Sequence, residues 1–374
     1  MKITRISTRL VPPRWSLVKI ETDEGLVGWG EPTLEGLART ACTCVEELGR
    51  GLIGEDPRRV EHLWQSLYRG QFYRGGSLVL SALSGIEQAL WDITGKFYNT
   101  PVYNLFGGAV RDRIRMYCHA GGSTPDQAAE AARNARAAGF TALKTGMTAG
   151  ATRIVDSPQV VDDTVARIAA MREAVGRDFD IAIDCHGRLS PAMAIRLCDA
   201  VADLMPMFVE EPVLPENVDA LLQVARHVNV PLATGERLFT RFEFRQVLQD
   251  GAIAIVQPDV SHAGGIGETR KIAAQAETCY AGLAPHCPLG PVALAACLQV
   301  DACSPNFVIQ EHTAGALGAG YLRQPFVIQD GYIELPTGPG LGIDIDEEAV
   351  IAMGEHDWAT PQLRHADDGS VADW

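Results

Sequence analysis

From about residue 115 onward the sequence repeats one unit, a short apolar run followed by a longer amphipathic stretch. The runs read RMYCHAGG, FTALKTG, FDIAIDCHG, MPMFVEEP, VPLATGER, AIAIVQPDVS, YAGLAPHCP and FVIQEH. Between them lie helical patterns such as 124–138, 162–175 and 268–277. Strand and helix in strict alternation imply right-handed parallel crossovers. Eight such strands in about 200 residues predict an α/β fold of the TIM-barrel type.

The first 112 residues follow a different rule. Strand-like runs at Ile3–Val11, Ser16–Glu21 and Leu26–Trp29 are followed by helical patterns near 36–53, 57–70 and 79–98. Strands first and helices after read as a separate α+β domain. The last helix, SLVLSALSGIEQALWDITGKF, is apolar on more than one face and is expected to be buried. The barrel is then expected over 113–324, with a Gly/Pro-rich segment over 325–374.

Each apolar run from the second onward ends in a reactive side chain. In order these are Lys144, Asp184 with His186, Glu210, Glu236, Asp259, His286 and Glu311. In a parallel barrel the C-terminal strand ends converge on one mouth, where active sites lie. Asp184, Glu210 and Glu236 fall on adjacent strands. Three carboxylates brought together repel one another and call for a cation, and oxygen-only ligation fits one Mg²⁺ per subunit. Glu211 and Arg237, each next to a ligand, should face away from the metal. Asp259 beside His286 orients the imidazole and raises its basicity, which makes His286 the general base. His186, two residues after Asp184, is expected on the same strand face. Two imidazoles flanking a metal suggest paired proton transfer: the metal binds a substrate carboxylate, and loss of the α-proton leaves an enediolate. Glu311, if protonated, or Lys144 would stabilise that charge. His119 and His262 have no evident partner in the sequence.

Charge narrows the substrate. A net charge of -15 argues against nucleic acid or anionic membrane as a partner. An anionic substrate would be repelled at long range, so a bound divalent cation is the simplest local attraction. No apolar stretch reaches membrane-spanning length and no signal peptide is recognisable. Nine cysteines without CxxC spacing suit reduced thiols, so a cytoplasmic location is expected.

The motifs MKIT with VPPRW, WGEP, FYRGG, ALWDITGK, IDCHGR, VEEP, TGER, QPDVSHAGG, APHCPLGP and LRHADDGSVADW run the length of the chain. Together they resemble the mandelate racemase branch of the enolase superfamily, and within it the D-galactonate dehydratases. The resemblance implies a modified (β/α)₇β barrel under an N-terminal α+β capping domain, with 325–374 returning to the cap. It implies Asp184, Glu210 and Glu236 as magnesium ligands, His286 with Asp259 as base, His186 as general acid and Glu311 as enediolate stabiliser. It also suggests a homo-oligomer. Many racemase and cycloisomerase relatives carry Lys-x-Lys on the second barrel strand. Here that position reads Lys144-Thr145-Gly146, so the second lysine is absent and dehydration is favoured over racemisation. The expected substrate is a small anionic polyhydroxy acid, galactonate or another aldonate or aldarate, losing its C2 proton and C3 hydroxyl to give a 2-keto-3-deoxy acid. Arg14, Trp15, Phe72, Tyr73 and Arg74 are expected to close over it. The segment after Glu311 and the imidazole of His119 depart from the pattern expected of galactonate dehydratases.

Overall fold

A computed structural model describes residues 1–147 and 157–373; Trp374, at the end of the last motif, lies outside them. Strands β1 (Ile3–Val11), β2 (Trp15–Thr22) and β3 (Val27–Gly30) form an antiparallel sheet in the order β1-β2-β3. Helices α1 (Ala38–Gly49) and α3 (Ser77–Phe97) pack against it, and α2 (Val60–Arg69) packs on α3. Contact between β3 and α3 is unusually close: a Cβ on Gly28 would lie 2.1 Å from the Ala89 carbonyl oxygen, so only glycine fits there.

Helix α3 is buried almost throughout, and four of its polar residues, Ser81, Ser84, Glu87 and Gln88, meet the second domain. Ser84 Oγ accepts the Gly264 N–H at 3.0 Å, and Gln88 Nε2 donates to Ser261 Oγ at 3.0 Å. Glu87 accepts the Ile266 and Gly267 N–H groups at 2.7 Å each and the Trp91 indole N–H at 2.7 Å. These bonds satisfy buried polar atoms that the apolar periodicity of the helix does not explain.

After the short helix α4 (Val102–Leu105) and strand β4 (Arg113–Arg115), seven parallel strands follow: β5 (Cys118–His119), β6 (Ala142–Gly146), β7 (Asp180–Asp184), β8 (Val209–Glu210), β9 (Leu232–Thr234), β10 (Ile255–Val256) and β11 (Gly282–Leu283). Helices α5 (Pro125–Ala137), α6 (Pro158–Val175), α7 (Pro191–Val201), α8 (Val218–Ala225), α9 (Thr240–Gln249), α10 (Ile266–Thr278) and α11 (Pro291–Cys303) alternate with them. Proline in the first turn of α5, α6, α7 and α11 sets the helical φ where the missing N–H costs nothing.

The eighth apolar run departs from the expected regular strand. Phe307 bridges Leu283 and Gln310 bridges Met116, both in parallel, so the run closes the ring through isolated bridges. The architecture is a modified (β/α)₇β barrel with an N-terminal α+β cap. Strand β12 (Tyr332–Glu334) pairs antiparallel with β4, and α12 (Glu347–Ala352) follows. The last segment lies against the cap: Lys19 Nζ reaches Glu347 at 2.8 Å and His356 Nε2 lies 3.0 Å from the Trp15 carbonyl oxygen. Among the described residues no helix is long and apolar enough to cross a membrane, and all nine cysteines are free thiols.

Candidate active site

The strand-end residues do converge. A cavity of about 680 Å³ at the barrel mouth is lined by Lys144, Asp184, His186, Glu236, His286 and Glu311 among others. Asp184 and Glu210 pair across β7 and β8, and Lys144 lies on β6. The remaining residues sit just past their strands. Glu236 follows Thr234 through Gly235, while Asp259 and His286 each lie three residues beyond β10 and β11.

Lys144 is the hub. Its Nζ lies 2.8 Å from Glu311 Oε1, 3.0 Å from Glu210 Oε2 and 3.6 Å from Asp184 Oδ2. Burial alone would depress the ammonium, but Glu210, Glu311, Tyr117 and Asp184 outweigh it and hold the group well above the ordinary lysine value. Burial pushes the Asp184 carboxyl up, yet Lys144 and His186 bring it down to about 2. Glu210 and Glu236 go the other way. Burial raises both, and repulsion from Asp184 adds to it in each; Glu236 also faces Glu211 and Glu210, with His286 as its opposing influence. Oε2 of Glu236 is buried without a hydrogen bond, though His286 Nε2 approaches to 3.4 Å.

His286 Nδ1 lies 2.8 Å from Asp259 Oδ2. Burial works against the imidazolium, but Glu236, Glu311 and Asp259 raise it well above the usual histidine range. Glu311 is likewise held well below the carboxylate range: burial would raise it, but Lys144, His286 and His119 prevail. Of the two alternatives, Glu311 if protonated or Lys144, that direction favours Lys144 as the donor.

His186 does not share the β7 strand face as the sequence spacing implies. The strand ends at Asp184, and His186 adopts φ +50° in the turn beyond it. Its Nε2 still lies 2.9 Å from Asp184 Oδ2, so a left-handed turn accomplishes what strand alternation does not. Glu211 and Arg237, expected to face away from the metal, pair with each other through Arg237 Nε at 2.8 Å; Arg237 nonetheless also lines the cavity.

Both histidines left without partners in the sequence find them here. His119 Nε2 lies 2.9 Å from Glu311 Oε1. His262 Nδ1 lies 2.8 Å from Ser81 Oγ on α3, and its Nε2 is 3.9 Å from Asp259 Oδ2. Periodicity could not reveal these pairs, because they join residues 192 and 181 positions apart. The cap residues divide. Arg14 lines the cavity, but Trp15 is buried against Tyr321 with ring centroids 5.5 Å apart. Phe72 and Tyr73 are almost fully exposed, and Arg74 borders a separate crevice with Trp64, Tyr68 and Arg241. Leu34, Glu35 and Ser77 from the cap, Glu216 from the β8–α8 loop, and Trp358, Thr360 and Asp373 from the tail complete the wall.

Among the described residues no three side-chain donors close on one point tightly enough to hold a metal as they stand. The donor set nonetheless suits a divalent cation. It consists of carboxylate oxygens, one of them unpartnered, in a buried negative cluster that Lys144 only partly neutralises.

Family comparisons place these observations among known proteins. Residues 5–107 match the mandelate racemase / muconate lactonizing enzyme N-terminal domain, and residues 127–349 match the enolase C-terminal domain-like family. D-galactonate dehydratase of Ralstonia nicotianae is 50% identical over 386 aligned positions, covering all of both chains. The enzyme of the same name from Cronobacter sakazakii is 49% identical with the same coverage. A solved enolase-superfamily protein from Agrobacterium radiobacter, provisionally named a galactarate dehydratase and bound to sodium and L-malate, is 34% identical over all of both chains at a TM-score of 0.91. An enolase-superfamily member from Salmonella Typhimurium is 32% identical, covering 94% of this chain and 97% of its own, at a TM-score of 0.89.

Proposed function

The chain belongs to the enolase superfamily, with both mandelate racemase / muconate lactonizing enzyme domains, and from that premise we propose that it is a sugar-acid dehydratase acting on an aldonate, with D-galactonate the foremost candidate. It is a hydro-lyase that removes the C2 proton and the C3 hydroxyl to leave a 2-keto-3-deoxy acid. The observation that carries this reading is the pairing of two imidazoles with carboxylates in one cavity, His286 with Asp259 and His186 with Asp184.

Asp184, Glu210 and Glu236 would hold Mg²⁺, which when bound supplies positive charge to the substrate carboxylate. Asp259 fixes the His286 ring through Nδ1, leaving Nε2 free to take the C2 proton. His286 must be neutral to do so. Glu236 is the first of the charges that raise it, so occupying Glu236 as a ligand moves the imidazole toward its free-base form. Lys144, buried and cationic, faces the negative charge that proton loss leaves on the carboxyl end, and Glu311 holds Lys144 and His119 in place. Donation from the Lys144 ammonium fits the site better than donation from Glu311, whose carboxylate form is strongly favoured. His186, 40% exposed, protonates the departing C3 hydroxyl. Lysine at 144 without a second at 146 leaves no lysine base on that strand for racemisation. The family resemblance suggests a homo-oligomer, and the free cysteines suit a cytoplasmic location.

The test is a panel of aldonates and aldarates assayed with Mg²⁺ for 2-keto-3-deoxy product. D-Galactonate should give the highest kcat/KM. Exchange of the α-proton in deuterated water without loss of water would replace the dehydratase reading with an epimerase.

A further inference from the structure

Among the described residues, every lysine and arginine on the cavity wall is already committed to a carboxylate. Lys144 is shared by Glu210 and Glu311, Arg237 is paired with Glu211, and Arg14 Nη2 lies 3.0 Å from Glu35 Oε1. Among the described residues, Arg14 is the one lysine or arginine that the cap contributes to this wall. It is also held in position: its guanidinium stacks 5.5 Å over the Trp358 ring, and it approaches the Pro288 carbonyl oxygen at 3.4 Å. Pro288 is two residues from His286, and Arg14 and the proposed base line the same cavity. Glu216 and Asp373 add negative charge to the same wall.

A substrate that places one carboxylate on the metal must project its other end toward this cap-and-tail side. A terminal hydroxyl there needs only hydrogen-bonding partners, which Glu35, Glu216, Thr360 and Asp373 offer. A second carboxylate would meet Glu216 and Asp373 as like charges, and would find the Arg14 guanidinium neutralised. We propose that the Arg14–Glu35 pair, reinforced by Glu216 and Asp373, restricts the site to acids carrying a single carboxylate, with Glu35 as the residue that keeps diacids out. This inference rests on the dehydratase reading for the position of the first carboxylate.

Substitution of Glu35 by Gln should expose the device. Arg14 keeps its stacking on Trp358 and its contact with Pro288, but its guanidinium is freed to pair with a distal carboxylate in bidentate fashion. The experiment compares galactonate with galactarate, measuring both kcat/KM and binding to the Mg²⁺-loaded protein by calorimetry, for the wild type, Glu35→Gln and Arg14→Gln/Glu35→Gln. The wild type should prefer galactonate by about 100-fold or more, as expected where like charges face each other in a closed pocket. Glu35→Gln should shift the ratio toward galactarate by about tenfold, equivalent to one added charge-assisted contact. The double variant should restore the wild-type ratio, which a general loosening of the pocket would not do. Comparable handling of both acids by the wild type, or an unchanged ratio in Glu35→Gln, would overturn the proposal. Turnover of neither acid would remove galactonate as the substrate instead, and the calorimetric ratio would still decide the role of Glu35.

Discussion

At two places in this molecule, the seam between cap and barrel and the barrel mouth, buried carboxylates are partnered in different ways. Along the seam between cap and barrel, Glu31 accepts the Gly290 and Ala293 N–H groups at 2.7 and 3.0 Å, at the start of α11. Glu87 does the same for the start of α10, and Asp92 accepts the Trp29 and Leu341 N–H groups at 3.0 and 2.9 Å. Each seam carboxylate is aimed at backbone donors that would otherwise be orphans, two of them at helix N-termini where the dipole favours negative charge. At the barrel mouth the carboxylates crowd around the cationic side chains Lys144, His186 and His286 and repel one another. Glu236 keeps an unpartnered buried oxygen, and Glu210 and Asp184 raise its pKa further. Of the seam carboxylates, Glu31 and Glu87 hold the cap to the barrel, while Asp92 ties α3 to β3 and to the C-terminal segment. Those at the mouth form a reserve of negative charge suited to holding a cation and a reaction.

The contrast can be broken most sharply at the base. His286→Asn should lower turnover by about 10³-fold while the circular dichroism spectrum is unchanged. Retained turnover would remove His286 from the mechanism. Next in size, Glu87→Gln should lower stability by about 2 kcal/mol in urea unfolding, because one amide face then opposes the Ile266 or Gly267 N–H. Glu236→Gln should move metal-free stability the other way, up by about 1 kcal/mol, since it removes a repelled buried charge. Equal signs for the two substitutions would erase the distinction between seam and mouth.

A pH dependence extends the comparison to the seam alone. Burial raises Glu31 to about 7 and Glu87 to about 8 from an ordinary 4.5, despite their hydrogen bonds. A carboxyl with a raised folded-state pKa binds its proton more tightly in the folded chain. Its contribution to stability is complete below the unfolded value and is lost as pH rises through the folded one. Thermal midpoints should therefore drift down between about pH 4.5 and 8 and level off above. The drift should shrink in Glu87→Gln.

Much of this was legible in the sequence because the barrel writes its geometry as a period. Lys144, Asp184, Glu210, Glu236, Asp259, His286 and Glu311 recur once per strand and helix, so their convergence followed from counting. Other features are not periodic. The left-handed turn at His186 is set by local backbone rather than by strand alternation. The polar residues of α3 appear as interruptions in an apolar helix until the loop over 261–267 is seen against them. His119 and His262 could not be paired in advance, since each partner is brought near by the closure of the barrel or the docking of the cap. Exposure of Phe72 and Tyr73, and burial of Trp15, likewise depend on how a loop lies.

The central claim is that the unsatisfied carboxylates of the mouth exist to bind a divalent cation. Calorimetric titration of chelator-stripped protein with MgCl₂ tests it without relying on turnover. One Mg²⁺ should bind per chain in the wild type and in Glu87→Gln, with binding lost in Glu236→Gln. Wild-type affinity in Glu236→Gln, or no binding to the wild type, would contradict the account.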